Sequence, residues 1–94
     1  MTQYVLAQLE IRDFETMVEY QKLADAGEAK HGGSAIAGGS DSVILEGEKH
    51  GMAVLLKFPD RESALAWFND PELTEIHALR NKAAKSTITL LPLF

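Results

Sequence analysis

Lys30-His31-Gly32-Gly33, followed by Gly38-Gly39 and Leu45-Glu46-Gly47, is the stretch that decides the fold. Five of the seven glycines fall between positions 32 and 47. Glycine supplies positive φ and close backbone approach, so such density marks a helix exit followed by sharply bent strands. Working upstream, residues 4–11 (YVLAQLEI) read as a strand. Val5, Ala7, Leu9 and Ile11 point one way; Tyr4, Leu6, Gln8 and Glu10 point the other. Asp13 is a good N-cap for a helix from Phe14, with Met17, Tyr20, Leu23, Ala24 and Gly27 at helical spacing. The spacing predicts an end near Lys30-His31, with Gly32 or Gly33 as the C′ residue.

Downstream, residues 34–38 and 42–46 read as two halves of one strand, bent at Gly39-Ser40-Asp41. Residues 47–51 then form a hairpin loop that includes His50. Residues 52–58 (MAVLLKF) are the most hydrophobic strand and are expected at the sheet centre. Asp60 caps a helix from Arg61, and Asn69-Asp70-Pro71-Glu72 breaks it, because the residue before proline avoids the helical region. Asp70 caps a second segment carrying Leu73, Ile76, Leu79, Ala83 and Ala84. Residues 87–94 form the last strand, with Pro92 suited to a sheet edge. The order is β-α-β-β-α-β: a ferredoxin-like α+β fold with a four-stranded antiparallel sheet, helices on one face and the second helix broken near Pro71. Residues 1–94 make one domain. The uncovered face is too apolar for a monomer, so a second copy of the chain is the expected cover.

Composition excludes several classes. The chain has no cysteine, which removes disulfides, thiolate metal sites and cysteine nucleophiles. Net charge is −5 without a basic run, which argues against nucleic-acid binding. No apolar stretch has the length of a membrane span, and no basic segment precedes an apolar one at the N-terminus, so a cytoplasmic protein is expected. His31, His50 and His77 show no short ligand spacing, and neither a phosphate loop nor a dinucleotide fingerprint is present. No metal and no cofactor is expected.

Four residues are candidates for chemistry. His31 follows a helix C-terminus, where the dipole favours the imidazolium; it is either an acid/base at a pocket mouth or a helix cap. Glu10 faces the uncovered side of the sheet, as a buried base or as a solvated strand-end carboxylate. Trp67 is a pocket wall for an apolar ligand or core packing, and it cannot face the same way as its neighbour Phe68. Arg80 lies on the buried side by periodicity and needs either a carboxylate partner or a bound anion.

These residues also resemble a known family. Lys30-His31-Gly32-Gly33, Gly38-Gly39, Leu45-Glu46-Gly47, Phe58-Pro59, Ala64-x-x-Trp67-Phe68-x-Asp70-Pro71-Glu72 and Arg80 are similar, over nearly the whole chain, to a bacterial family of unknown function in the dimeric α+β barrel superfamily. Leu73 replaces a frequent aromatic residue, and the tail Leu91-Pro92-Leu93-Phe94 is more apolar than usual. The resemblance implies a homodimer whose sheets pack face to face, with a cleft in each subunit. Superfamily relatives include cofactor-free monooxygenases, muconolactone isomerases and haem-dependent chlorite dismutases, so the fold does not choose a reaction. The expectations are a small cofactor-free enzyme acting on an apolar or aromatic metabolite, or a non-catalytic ligand-binding or accessory dimer.

Overall fold

The computed structural model describes residues 1–49 and 51–94; the expected role of His50 in the hairpin loop lies outside them. The elements run β1 (Gln3–Ile11), α1 (Phe14–Ala29), β2 (Ser34–Gly39), β3 (Met52–Phe58), α2 (Arg61–Asn69), a short 3-10 turn (Pro71–Leu73), α3 (Thr74–Ala83) and β4 (Ala84–Leu91). The sheet is antiparallel in the order β2-β3-β1-β4, so the apolar strand β3 is central, as its composition predicts.

Alternation along β1 separates the two faces. Val5, Ala7 and Leu9 are buried, whereas Tyr4, Leu6 and Gln8 are half-buried and Glu10 is exposed. The caps expected from sequence form. Asp13 accepts from the Thr16 amide and, at 2.6 Å, from its hydroxyl; Asp60 accepts from the Ser63 amide at 2.7 Å. Each satisfies an amide that the first helical turn leaves free.

Two boundaries differ from the sequence reading. Residues 42–46 are not a second half-strand. Gly39 pairs with Ala53, and β3 begins only one residue earlier, at Met52. Among the described residues, the chain beyond Gly39 therefore has no neighbouring strand. Val43 and Leu45 are left 81% and 94% exposed. β4 begins at Ala84 rather than Thr87, and ends at Leu91, before Pro92. The cause is the register with β1: Ile11 opposes Ala84 and Glu10 opposes Lys85, so pairing starts as soon as α3 stops. The Arg12 and Asp13 amides both donate to the Ala83 carbonyl, at 2.8 and 3.0 Å, and seal that corner.

The core between helices and sheet divides in two. Val5, Leu56, Phe58, Ala64, Trp67 and Leu73 form one cluster. Leu9, Met17, Tyr20, Ala83 and Ala84 form the other. Phe58 and Met17 are the largest fully buried side chains, one in each. Burying a side chain of this kind contributes about 1.5–3 kcal/mol. Leu73 fills the core against Gly27. Among the described residues no helix is long and apolar enough to cross a membrane.

Candidate functional site

The glycine turn after α1 builds the site indirectly. Gly32 takes φ +75°, a conformation that glycine adopts without strain. Gly33 lies against the Phe58 ring, where a Cβ would come within 2.3 Å of the aromatic edge. With the turn so placed, the His31 and Gly33 amides both donate to the Glu28 carbonyl, at 3.0 and 2.8 Å. The last turn of α1 is thereby fixed, and with it the Glu28 side chain.

Glu28 lines a cavity of about 220 Å³ between the two core clusters. Its walls are largely apolar and include Leu9, Met52, Val54, Leu56 and Trp67; Tyr20, Glu28 and Arg80 are the buried polar side chains among them. Tyr20, Ala24 and Glu28 follow one another at intervals of four, so a single face of α1 supplies them. Glu28 is only 4% exposed, and its Oε1 has no hydrogen-bond partner. Burial, reinforced by the nearby Asp25 carboxylate, pushes the Glu28 carboxyl up to about 7. A buried carboxyl without a partner favours its neutral form because water no longer stabilises the charge. Burial likewise raises the Tyr20 phenol, while the adjacent Arg80 charge opposes the rise.

Arg80 is 3% exposed. Its Nη1 donates to His77 Nδ1 at 3.3 Å, and its Nε to Asn81 Oδ1 at 3.4 Å. His77 Nε2 donates in turn to the Trp67 carbonyl at 3.1 Å. A carbonyl only accepts and a guanidinium only donates, so this chain assigns the proton to Nε2 and leaves Nδ1 bare. His77 is therefore neutral, and burial lowers its pKa in agreement. The imidazole also meets the Trp67 ring edge-on, with centroids 5.0 Å apart. α2 thus holds α3 through His77, and His77 orients Arg80. The carboxylate partner expected for a buried arginine does not form: among the described residues Arg80 makes no salt bridge.

The other sequence candidates lie elsewhere. His31 is not among the cavity-lining residues; its Nε2 donates to Asp70 Oδ2 at 2.8 Å. Lys30 joins the same oxygen at 2.7 Å and reaches Glu72 at 2.6 Å. Asp70 Oδ1 meanwhile accepts from the Glu72 amide at 2.9 Å. Lys30 and His31 hold the Asp70 carboxyl well below the usual carboxylate range. This clasp ties the end of α1 to the break before α3. Glu10 stands on the uncovered sheet face, in a shallow polar groove with Gln8, Lys85 and Thr87. Its register partner is Lys85. Trp67 is 3% exposed and walls the cavity, whereas Phe68 is 49% exposed and is not among the cavity-lining residues.

Sequence reasoning passed over Glu28, Tyr20 as a polar group, and the bridging role of His77. The signal for Glu28 was its spacing of four from Ala24 and eight from Tyr20. Leu23, which shared the expected stripe, is 46% exposed. The wider apolar stripe masked a single carboxylate on its margin.

Comparison with known proteins places this geometry. No curated protein matches the chain. Solved structures match over almost all of it. A protein of unknown function from Rhodopseudomonas palustris is 19% identical, with TM-score 0.77, over 99% of this chain and 83% of its own. A dimeric ferredoxin-like protein of unknown function from Jannaschia sp. CCS1 is 14% identical, with TM-score 0.78, over 99% of this chain and 100% of its own. A mutant of SnoaB, a cofactor-independent oxygenase from Streptomyces nogalater, is 12% identical, with TM-score 0.63, over 98% of this chain and 91% of its own. At these identities the likeness is one of fold. The sequence profile of the domain of unknown function DUF1330 matches residues 2–93, and the chain belongs to that family.

Proposed function

We propose that this protein is a homodimeric, cofactor-free enzyme that moves a proton on a small, largely apolar metabolite. The observation that carries the reading is Glu28: a buried carboxyl with an unpartnered oxygen, lining an apolar cavity beside Arg80 and Tyr20. A carboxyl poised near 7 both accepts and returns a proton near neutral pH, the condition for efficient acid/base work. Arg80 and the Tyr20 hydroxyl are the groups suited to stabilise negative charge left on an oxygen of the substrate. Trp67 gives the substrate a flat apolar wall. The cofactor-independent oxygenase on the same fold supports chemistry without a prosthetic group on such a scaffold. His31 and Glu10 have no part in this mechanism.

The dimer reading rests on the uncovered sheet face and on the similarity to a dimeric protein. Half-buried Tyr4, Leu6, Leu55 and Leu91 share that face, and exposed Val43 and Leu45 project beyond β2. Sedimentation at micromolar concentration should give twice the chain mass of 10.3 kDa; a monomer removes this part of the reading.

The catalytic part is tested by solvent deuterium exchange into the methylene of phenylacetone, a small carbon acid, followed by NMR. The wild-type protein should accelerate exchange, and Glu28→Gln should slow it by about 100-fold or more. Equal rates in the two proteins would remove Glu28 as the base. Binding without exchange in the wild type would favour the ligand-binding dimer instead.

A further inference from the structure

The cavity has an electrostatic asymmetry. Arg80 is desolvated, and among the described residues it has no carboxylate counter-charge. Burying an unpaired charge is costly, so a site of this kind is completed by an anion. A guanidinium has five N–H donors in a planar fork, and side chains accept from its Nη1 and Nε here. The remaining donors match the two oxygens of a carboxylate. Arg80 is the one cation among the lining residues and the Asp25 carboxylate lines the cavity too, so the site suits a monoanion better than a phosphate dianion.

Size narrows the choice further. The cavity measures about 220 Å³. A cavity of about 150 Å³ encloses benzene, and drug-sized ligands need at least about 300 Å³. One ring and a short acidic side chain fill the space between these limits. The apolar walls, Leu9, Met52, Val54, Leu56 and Trp67, suit the ring.

Resting on the reading of this cavity as a small-molecule site, we infer that its ligand is a small monocarboxylic acid with a single-ring apolar body. The carboxylate lies on Arg80 and the Tyr20 hydroxyl, and the ligand's exchangeable proton faces Glu28. His77 acts as a positioning residue, because it fixes the guanidinium through Nδ1 while its other nitrogen is anchored on α2.

Calorimetric titration of the intact protein with phenylacetate, phenylacetamide and phenyl phosphate tests this. The amide keeps the size and shape of the acid without its charge. Phenylacetate should bind about tenfold more tightly than phenylacetamide, or better, as a charged hydrogen-bond pair warrants. Arg80→Gln should erase that preference and Arg80→Lys should keep part of it. If the Gln variant fails to fold, the wild-type comparison and the Lys variant still decide. Equal binding of acid and amide, or tightest binding of phenyl phosphate, overturns the carboxylate assignment and leaves the cavity as a small-molecule site. No binding of any of the three at about 10 mM overturns both. A carboxylate preference combined with unchanged exchange in Glu28→Gln upholds the ligand class and removes the proton-transfer reading.

Discussion

Two polar clusters meet at the end of α1, and they are built on opposite principles. The clasp of Lys30, His31, Asp70 and Glu72 is closed: one Asp70 oxygen takes two side-chain N–H donors and the other takes a backbone amide. The cavity group of Tyr20, Glu28 and Arg80 is open: among the described residues a carboxyl oxygen has no donor and a buried guanidinium has no salt-bridge partner. Only Ala29 separates Glu28 from Lys30. A satisfied cluster lowers the energy of the folded chain without a ligand, whereas an unsatisfied one is stabilised when a ligand arrives. Closure therefore marks a structural role, and incompleteness in a largely apolar cavity marks a functional one.

The comparison is broken most directly by exchanging roles. Glu28→Gln should cost about 100-fold or more in proton exchange, and His31→Ala should leave the rate within about twofold. A large rate loss in His31→Ala would place chemistry in the clasp and reverse the contrast.

The next effect is on stability against pH. The folded Glu28 carboxyl is pushed up to about 7 from an ordinary value of 4.5. Its folded pKa is raised, so the folded state holds the proton more tightly and stability falls as pH rises from about 4.5 to 7, then levels. The loss is of order 1–3 kcal/mol. Urea titrations at pH 5 and pH 8 should show this fall in the wild type and its absence in Glu28→Gln. Asp13, Asp60 and Asp70 carry lowered pKa values and slope the other way, but only below the ordinary aspartate value of 3.8, outside this window.

Smaller effects belong to the clasp. Asp70→Asn removes the negative charge that Lys30 and His31 share and should lower the melting temperature at neutral pH by several degrees, with exchange preserved. That penalty should fade as pH falls below the ordinary carboxylate range, where the wild-type Asp70 also takes a proton. His31→Ala should lower the melting temperature least, because Lys30 remains on the shared oxygen. Calorimetric scans of the three proteins check the order.

Much of the fold was legible because it follows from local rules. Period-two alternation set the faces of β1, aspartates set the caps, and Pro71 set the helix break. Residues 42–46 misled because SVILE has the composition of a strand, while strand formation also needs a neighbour. Within one chain β3 ends before it can provide one. The start of β4 was masked for the reverse reason: Ala84 suits a helix, but register with Ile11 captures it. Of the candidate residues, periodicity buried Arg80, but its partners His77 and Asn81 and the lack of a carboxylate emerge only from packing.

The glycine turn after α1 illustrates both halves of the problem. Its sequence alone determined that a helix ends there, since positive φ at Gly32 is a local backbone property. Only the tertiary structure decided what the turn is for. Gly33 makes room for Phe58, the turn's amides fix the Glu28 carbonyl, and His31 is spent on Asp70. Helix ends and caps depend on neighbours in sequence. The desolvation of Glu28 and the missing counter-charge of Arg80 depend on what three helices and a sheet bring together, and no local pattern encodes the absence of a partner.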